Sequence, residues 1–149
     1  MTDSADETIR STIDASPLFK HLSEEWRSRL VSASDLQSYA SGESVIREGQ
    51  TEDHPLYLIV GGQARVWTRS DDQAVELKTL FPGASFGEVS LVSDQEPTAT
   101  VEAKTDELKV LALDHEELVA LLEEDDKVRR LLEGLTLARA KDTLDKVAD

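Results

Sequence analysis

The sequence predicts a mainly β protein, a closed antiparallel sandwich or barrel with helices at both ends. Short apolar runs of period two recur between residues 36 and 113, each closed by glycine or a polar turn. Little helical spacing separates them, which favours one closed β body over alternating β and α units. Helical spacing is confined to the segments before residue 32 and after residue 114. At 149 residues the chain has the size of one domain.

Each element follows in order. Residues 1–12 are polar and acidic without periodicity, and are expected to be disordered. Ser16-Pro17 offers a cap and a first-turn proline for a short helix through Leu22. Ser23 caps a second helix, with Glu24 and Glu25 in its first turn and Leu22, Trp26, Leu30 and Val31 on one stripe. Strands are expected over 36–40, 44–47, 56–60, 63–68, 75–80, 98–103 and 107–113. Gly61-Gly62 between two of them reads as a tight hairpin. Asp71-Asp72 breaks the chain and Pro82-Gly83 forms a turn. Asp114 with Glu117 has capping-box spacing, opening a helix on Leu118, Leu121 and Leu122. A longer helix then runs to about Ala140, on Val128, Leu131, Leu132, Leu135 and Ala138, with Gly134 inside it. The expected domain is therefore 13–140, followed by a short tail over 141–149.

Composition excludes several functions. The chain has 31 acids against 16 bases, a formal charge of −15. That charge disfavours contact with nucleic acid or an anionic membrane. The acids crowd into 91–126, with twelve against two bases, and 127–149 is the net-basic segment. An acidic surface of this kind keeps the chain in solution or recruits a basic partner. Absence of cysteine excludes disulfides, thiol nucleophiles and thiolate metal sites. His21, His54 and His115 lack metal-ligand spacing, and no phosphate-loop, serine-hydrolase or zinc-protease motif occurs. The reading is of a non-enzyme. No apolar run reaches membrane-spanning length and no signal peptide opens the chain, so a cytoplasmic location is expected.

Five stretches carry a family resemblance. They are Phe19-Lys20-His21-Leu22, the turn and strand from Tyr39 to Gly49, the run from Leu56 to Val66, Gly83-Ala84-Ser85-Phe86-Gly87-Glu88-Val89-Ser90-Leu91, and Thr98-Ala99-Thr100-Val101-Glu102-Ala103. In order and spacing they resemble the cyclic-nucleotide-binding domain of catabolite-activator-type regulators and kinase regulatory subunits. The resemblance covers about residues 16–140. It implies a double-stranded β-helix, or jelly roll, with N-terminal and C-terminal helices.

It also implies a phosphate-binding cassette from Phe86 to Thr100. A ribose hydroxyl needs a carboxylate acceptor, and a cyclic phosphate needs an arginine and backbone N–H donors. Glu88 stands at the carboxylate position, unless the turn alone retains it. Gly87, Glu88, Val89 and Ser90 offer donors, and Thr98 and Thr100 offer hydroxyls. The family arginine is missing, because its position falls on Pro97 or Thr98. Loss of such a bidentate contact, worth about 1.5–3 kcal/mol, weakens binding roughly tenfold to several hundredfold. Asp94 and Glu96 add negative charge nearby. Rescue requires an arginine from elsewhere, with Arg47, Arg65 and Arg69 as candidates.

The expectation is a stand-alone regulatory or protein-interaction module that does not bind cyclic AMP or cyclic GMP strongly and needs no cofactor. The alternative is a small-ligand or cyclic-nucleotide sensor signalling through its C-terminal helix. A protein partner is expected in either case. In the family the C-terminal helix lids the pocket or forms a dimer seam. Val128, Leu131, Leu132 and Leu135 either form that seam or pack on the barrel.

Overall fold

A computed structural model describes residues 4–50, 54–88, 97 and 99–147. Two four-stranded antiparallel sheets form the body. The strands are β1 (Ser34–Ala40), β2 (Ser44–Ile46), β3 (Leu56–Gly61), β4 (Ala64–Ser70), β5 (Gln73–Leu80), β6 (Ser85–Phe86), β7 (Thr100–Ala103) and β8 (Glu107–Leu113). One sheet has the order β1-β8-β3-β6 and the other β2-β7-β4-β5. Among the described residues, four helices flank them: α1 (Ser4–Ala15), α2 (Glu24–Ser32), α3 (His115–Glu124) and α4 (Asp126–Val147). This is the mainly β sandwich with terminal helices that the strand pattern predicts.

The period-two rule shows where the core divides. On β3, Leu56 and Leu58 face the helices, while Tyr57 and Ile59 face the second sheet. On β8, Leu111 and Leu113 face the helices, and Leu108, Val110 and Ala112 face inward. Both central strands are thus covered on two sides, which explains their nearly unbroken apolar runs. The helical core joins Ile9, Ile13, Phe19, Leu30, Leu118 and Leu121 to Val128 and Leu132.

Three local expectations need correction. Residues 4–15 are helical and not disordered. Ile9 and Ile13, one turn apart, are buried, and Arg10 bridges Asp14 at 3.0 Å and Glu24 of α2 at 2.5 Å. That guanidinium holds the Glu24 carboxyl below its ordinary range, chiefly through the hydrogen bond. Residues 16–22 form turns instead of the expected short helix, with the Phe19 and Lys20 N–H groups donating to the Ser16 carbonyl. The tail expected over 141–149 is helical through Val147, continuing the last helix.

The Gly61-Gly62 hairpin is also absent. β3 and β4 lie in different sheets, so the glycines carry the chain from one sheet to the other. Gly62 has φ +80°, and a Cβ there would stand 2.2 Å from the Glu107 carbonyl oxygen. The two-residue hairpin lies at Asp71-Asp72, where Ser70 pairs with Gln73. Both aspartates have positive φ, 50° and 65°, the twist that such a loop requires.

The capping expectations hold. The Ser23 hydroxyl accepts from the Trp26 N–H at 3.3 Å, and the Asp114 carboxylate from the Glu117 N–H at 3.1 Å. Glu117 does not complete a reciprocal box. Its carboxylate instead meets Arg29 of α2.

Candidate functional site

The candidate site grows from the turn after β5. The Gly83 N–H donates to the Ile59 carbonyl, and the Ile59 N–H donates to the Ala84 carbonyl, each at 2.9 Å. The chain is thereby clamped to β3 and enters β6. There Phe86 stacks on Tyr57, with ring centroids 5.0 Å apart. Burial among these rings pushes the Tyr57 hydroxyl up to about 12. Gly87 then turns the backbone at φ +91°. A Cβ there would stand 3.0 Å from the Pro55 carbonyl oxygen and 3.1 Å from the Ile46 side chain. The turn therefore selects glycine on both dihedral and steric grounds.

Glu88 follows, and its carboxylate points inward with the residue only 2% exposed. A buried carboxylate needs a cation or several donors. The cation is Arg139 of α4, whose guanidinium donates to Glu88 Oε2 at 2.8 Å and to the Ser85 carbonyl. One arginine thus ties the last described turns of α4 to the carboxylate and the backbone of the cassette.

Among the described residues, none of the three arginines considered from sequence for the phosphate is paired with Glu88. Arg65 bridges Glu76 and Glu102, both at 3.3 Å. Arg47 lies on a separate polar cleft of about 640 Å³ with Ser44, Glu48 and Gln50. The Arg69 backbone N–H donates to Glu48, at 3.4 Å. Arg139 did carry a signal in the sequence. It continues the row Val128, Leu132, Leu135 at spacings of four, three and four residues, so it is a charge on an otherwise apolar inward face.

Other predicted residues are placed differently. Thr100 opens β7 and is buried, but its Oγ1 already accepts from the Glu48 N–H at 3.0 Å. Glu48 in turn accepts from the Thr68 hydroxyl at 2.5 Å. Pro97 sits beside the β2–β3 turn, its carbonyl accepting from the Gly49 N–H at 2.9 Å. Val89, Ser90 and Thr98, as well as Asp94 and Glu96, lie outside the described residues. Among the candidates, Gly87 and Glu88 are brought together with Arg139, and Thr100 serves the β2–β3 turn instead.

The dimer seam is only partly available. Val128 and Leu132 are 3% and 0% exposed, turned into the helical core of the same chain. Leu135 is half-buried, and Leu131 alone of the four faces outward.

Comparison with known proteins decides the family. The model of the cyclic nucleotide-binding domain matches residues 36–125. The chain belongs to that family. This domain is 28% identical over 139 residues to mouse cGMP-dependent protein kinase 2, covering 92% of the chain and 18% of the kinase. The chain therefore spans less than a fifth of that relative. Among solved structures, Thermus thermophilus catabolite activator protein is 30% identical with a TM-score of 0.71, covering 86% of this chain and 60% of the other. The regulatory subunit of a cAMP-independent protein kinase A from Trypanosoma cruzi, bound to guanosine, is 25% identical with a TM-score of 0.68. That match covers 78% of this chain and 40% of the subunit. The jelly-roll architecture implied by the sequence motifs is the fold of these relatives. Among the described residues, no helix is long and apolar enough to cross a membrane.

Proposed function

We propose that this domain is a regulatory, protein-interaction module that does not bind cyclic AMP or cyclic GMP strongly, and that its α4 closes the cassette. The Glu88–Arg139 pair carries the reading. The carboxylate that would receive a ribose hydroxyl is buried against a cation of the same chain at 2.8 Å. A ligand must compete with that guanidinium or share it. Pro97 and Thr98 add to this, since neither brings a cation to a cyclic phosphate where the family places arginine. Output then passes to a protein partner through the position of α4.

A second reading is favoured by the same substitution. Without the cassette arginine, a neutral nucleoside loses less than a cyclic phosphate does. The Trypanosoma cruzi relative, the regulatory subunit of a cAMP-independent protein kinase A, is bound to guanosine. A ribose on Glu88 with no phosphate is the ligand class that suits this chain as a sensor.

Calorimetric titration at low salt with cyclic AMP, cyclic GMP and guanosine tests both. The expected result is no binding of either cyclic nucleotide at micromolar concentration, with no rise in melting temperature. Guanosine binding that disappears in Glu88→Ala would establish the sensor reading. Micromolar binding of cyclic AMP, lost in Glu88→Ala, would overturn the proposal.

A further inference from the structure

The outer face of α4 has a composition unlike the rest of the chain. Lys127, Leu131, Gly134, Ala138 and Lys141 recur at spacings of four, three, four and three, so they form one row along the helix. All five are exposed. Arg130 and Leu137 flank the row one heptad apart, and Leu137 is 72% exposed. No ion pair involves Lys127, Arg130 or Lys141 among the described residues. Of the acids on this helix, Asp126 and Glu133 are held by Arg129 at 2.6 and 3.8 Å, and Asp145 continues the row one turn beyond Lys141. In a chain of net charge −15, this is an apolar strip edged by three cations.

Gly134 marks the middle of the strip. Glycine inside a helix weakens it, and here nothing lies within 4 Å of the place a Cβ would occupy. No contact among the described residues explains it. A glycine on an exposed face leaves a notch where another backbone or a large side chain can approach closely.

We propose that this face of α4 docks an acidic segment of another protein, a helix or groove that presents carboxylates to Lys127, Arg130 and Lys141 and seats an apolar side chain at Gly134. Charge complementarity selects this occupant. A symmetric contact between two α4 strips sets the same three cations of each chain against one another. An anionic membrane repels a chain of this charge, and Leu131 and Leu137 offer it little apolar area. The inner face of α4 meets the cassette through Arg139, so one helix joins the site to the docking face.

The test uses the full chain and a labelled 22-residue peptide with the α4 sequence carrying Lys127→Glu, Arg130→Glu and Lys141→Glu. Fluorescence anisotropy should show binding that weakens with salt. It should weaken about tenfold or more in Arg130→Glu protein. It should be lost in Gly134→Phe protein whose circular dichroism is native. If that variant does not fold, Gly134→Ala should reduce binding while raising the melting temperature. Binding unaffected at Gly134, or no binding of the peptide, overturns the proposal. So does equal binding of the unaltered α4 peptide with a two-chain mass by light scattering, which would identify a second copy. Co-sedimentation with phosphatidylserine vesicles in place of peptide binding would identify a lipid surface and overturn it as well.

Discussion

Arg139 and Glu88 show how a single contact governs this domain. Glu88 is almost fully buried, with the Arg139 guanidinium beside it. Arg139→Ala leaves that carboxylate without its cation and should cost about 1–3 kcal/mol in urea unfolding. Adding Glu88→Gln should recover part of the loss, and the double-mutant cycle measures the coupling. The turn glycines are equally exacting. Gly62→Ala places a methyl group against the Glu107 carbonyl oxygen at a positive φ. It should destabilise by about 2 kcal/mol or more, beyond the 1–2 kcal/mol of the left-handed conformation alone. Thermal melting checks it, and Gly42→Ala, with φ +88° but open space around it, is the control for the dihedral term.

At the scale of elements, α4 presents two faces with different demands. Leu132 is fully buried and Leu131 is 39% exposed, although they are adjacent in sequence. Leu132→Ala should cost about 2–5 kcal/mol, and Leu131→Ala less than about 0.5 kcal/mol, in unfolding of the isolated chain. Gly134→Ala should instead stabilise by about 0.5–1 kcal/mol, because the helix gains propensity and the methyl meets nothing. Much of this was legible beforehand. The caps at Ser23 and Asp114, the terminal helices and most strands follow from turn chemistry and periodicity. Sequence alone did not separate the inward residues of α4 from the outward ones. Val128, Leu131, Leu132 and Leu135 suit a seam or a core equally well until the sheet beneath them is placed.

For the whole molecule, the core between the sheets responds to pH through Tyr57. Its hydroxyl is pushed up to about 12 by burial between the sheets, against 10.0 for an unperturbed tyrosine. The raised value means that the folded state favours the neutral form. Its contribution is complete below pH 10 and falls as pH rises towards 12. Alkaline unfolding followed by circular dichroism should therefore begin in that window, and Tyr57→Phe should flatten the loss there.

Local chemistry by itself determined the class of this protein. Period-two runs and glycine turns specify a closed antiparallel β body, because each reflects forces acting over a few residues, and the ordered motifs from Phe19 to Ala103 carry its resemblance to the cyclic nucleotide-binding domain. Even the disagreements are local in origin. Ile9 and Ile13 were hidden in an acidic segment, and Asp71-Asp72 supplied the hairpin in place of Gly61-Gly62. The tertiary structure alone decided which cation answers Glu88. Arg139 lies 51 positions away, and the distance closes only when α4 folds back over the sandwich. A short-range pattern marks Arg139 as a charge on an apolar row but does not name its partner, since that depends on where two separately stabilised elements are packed.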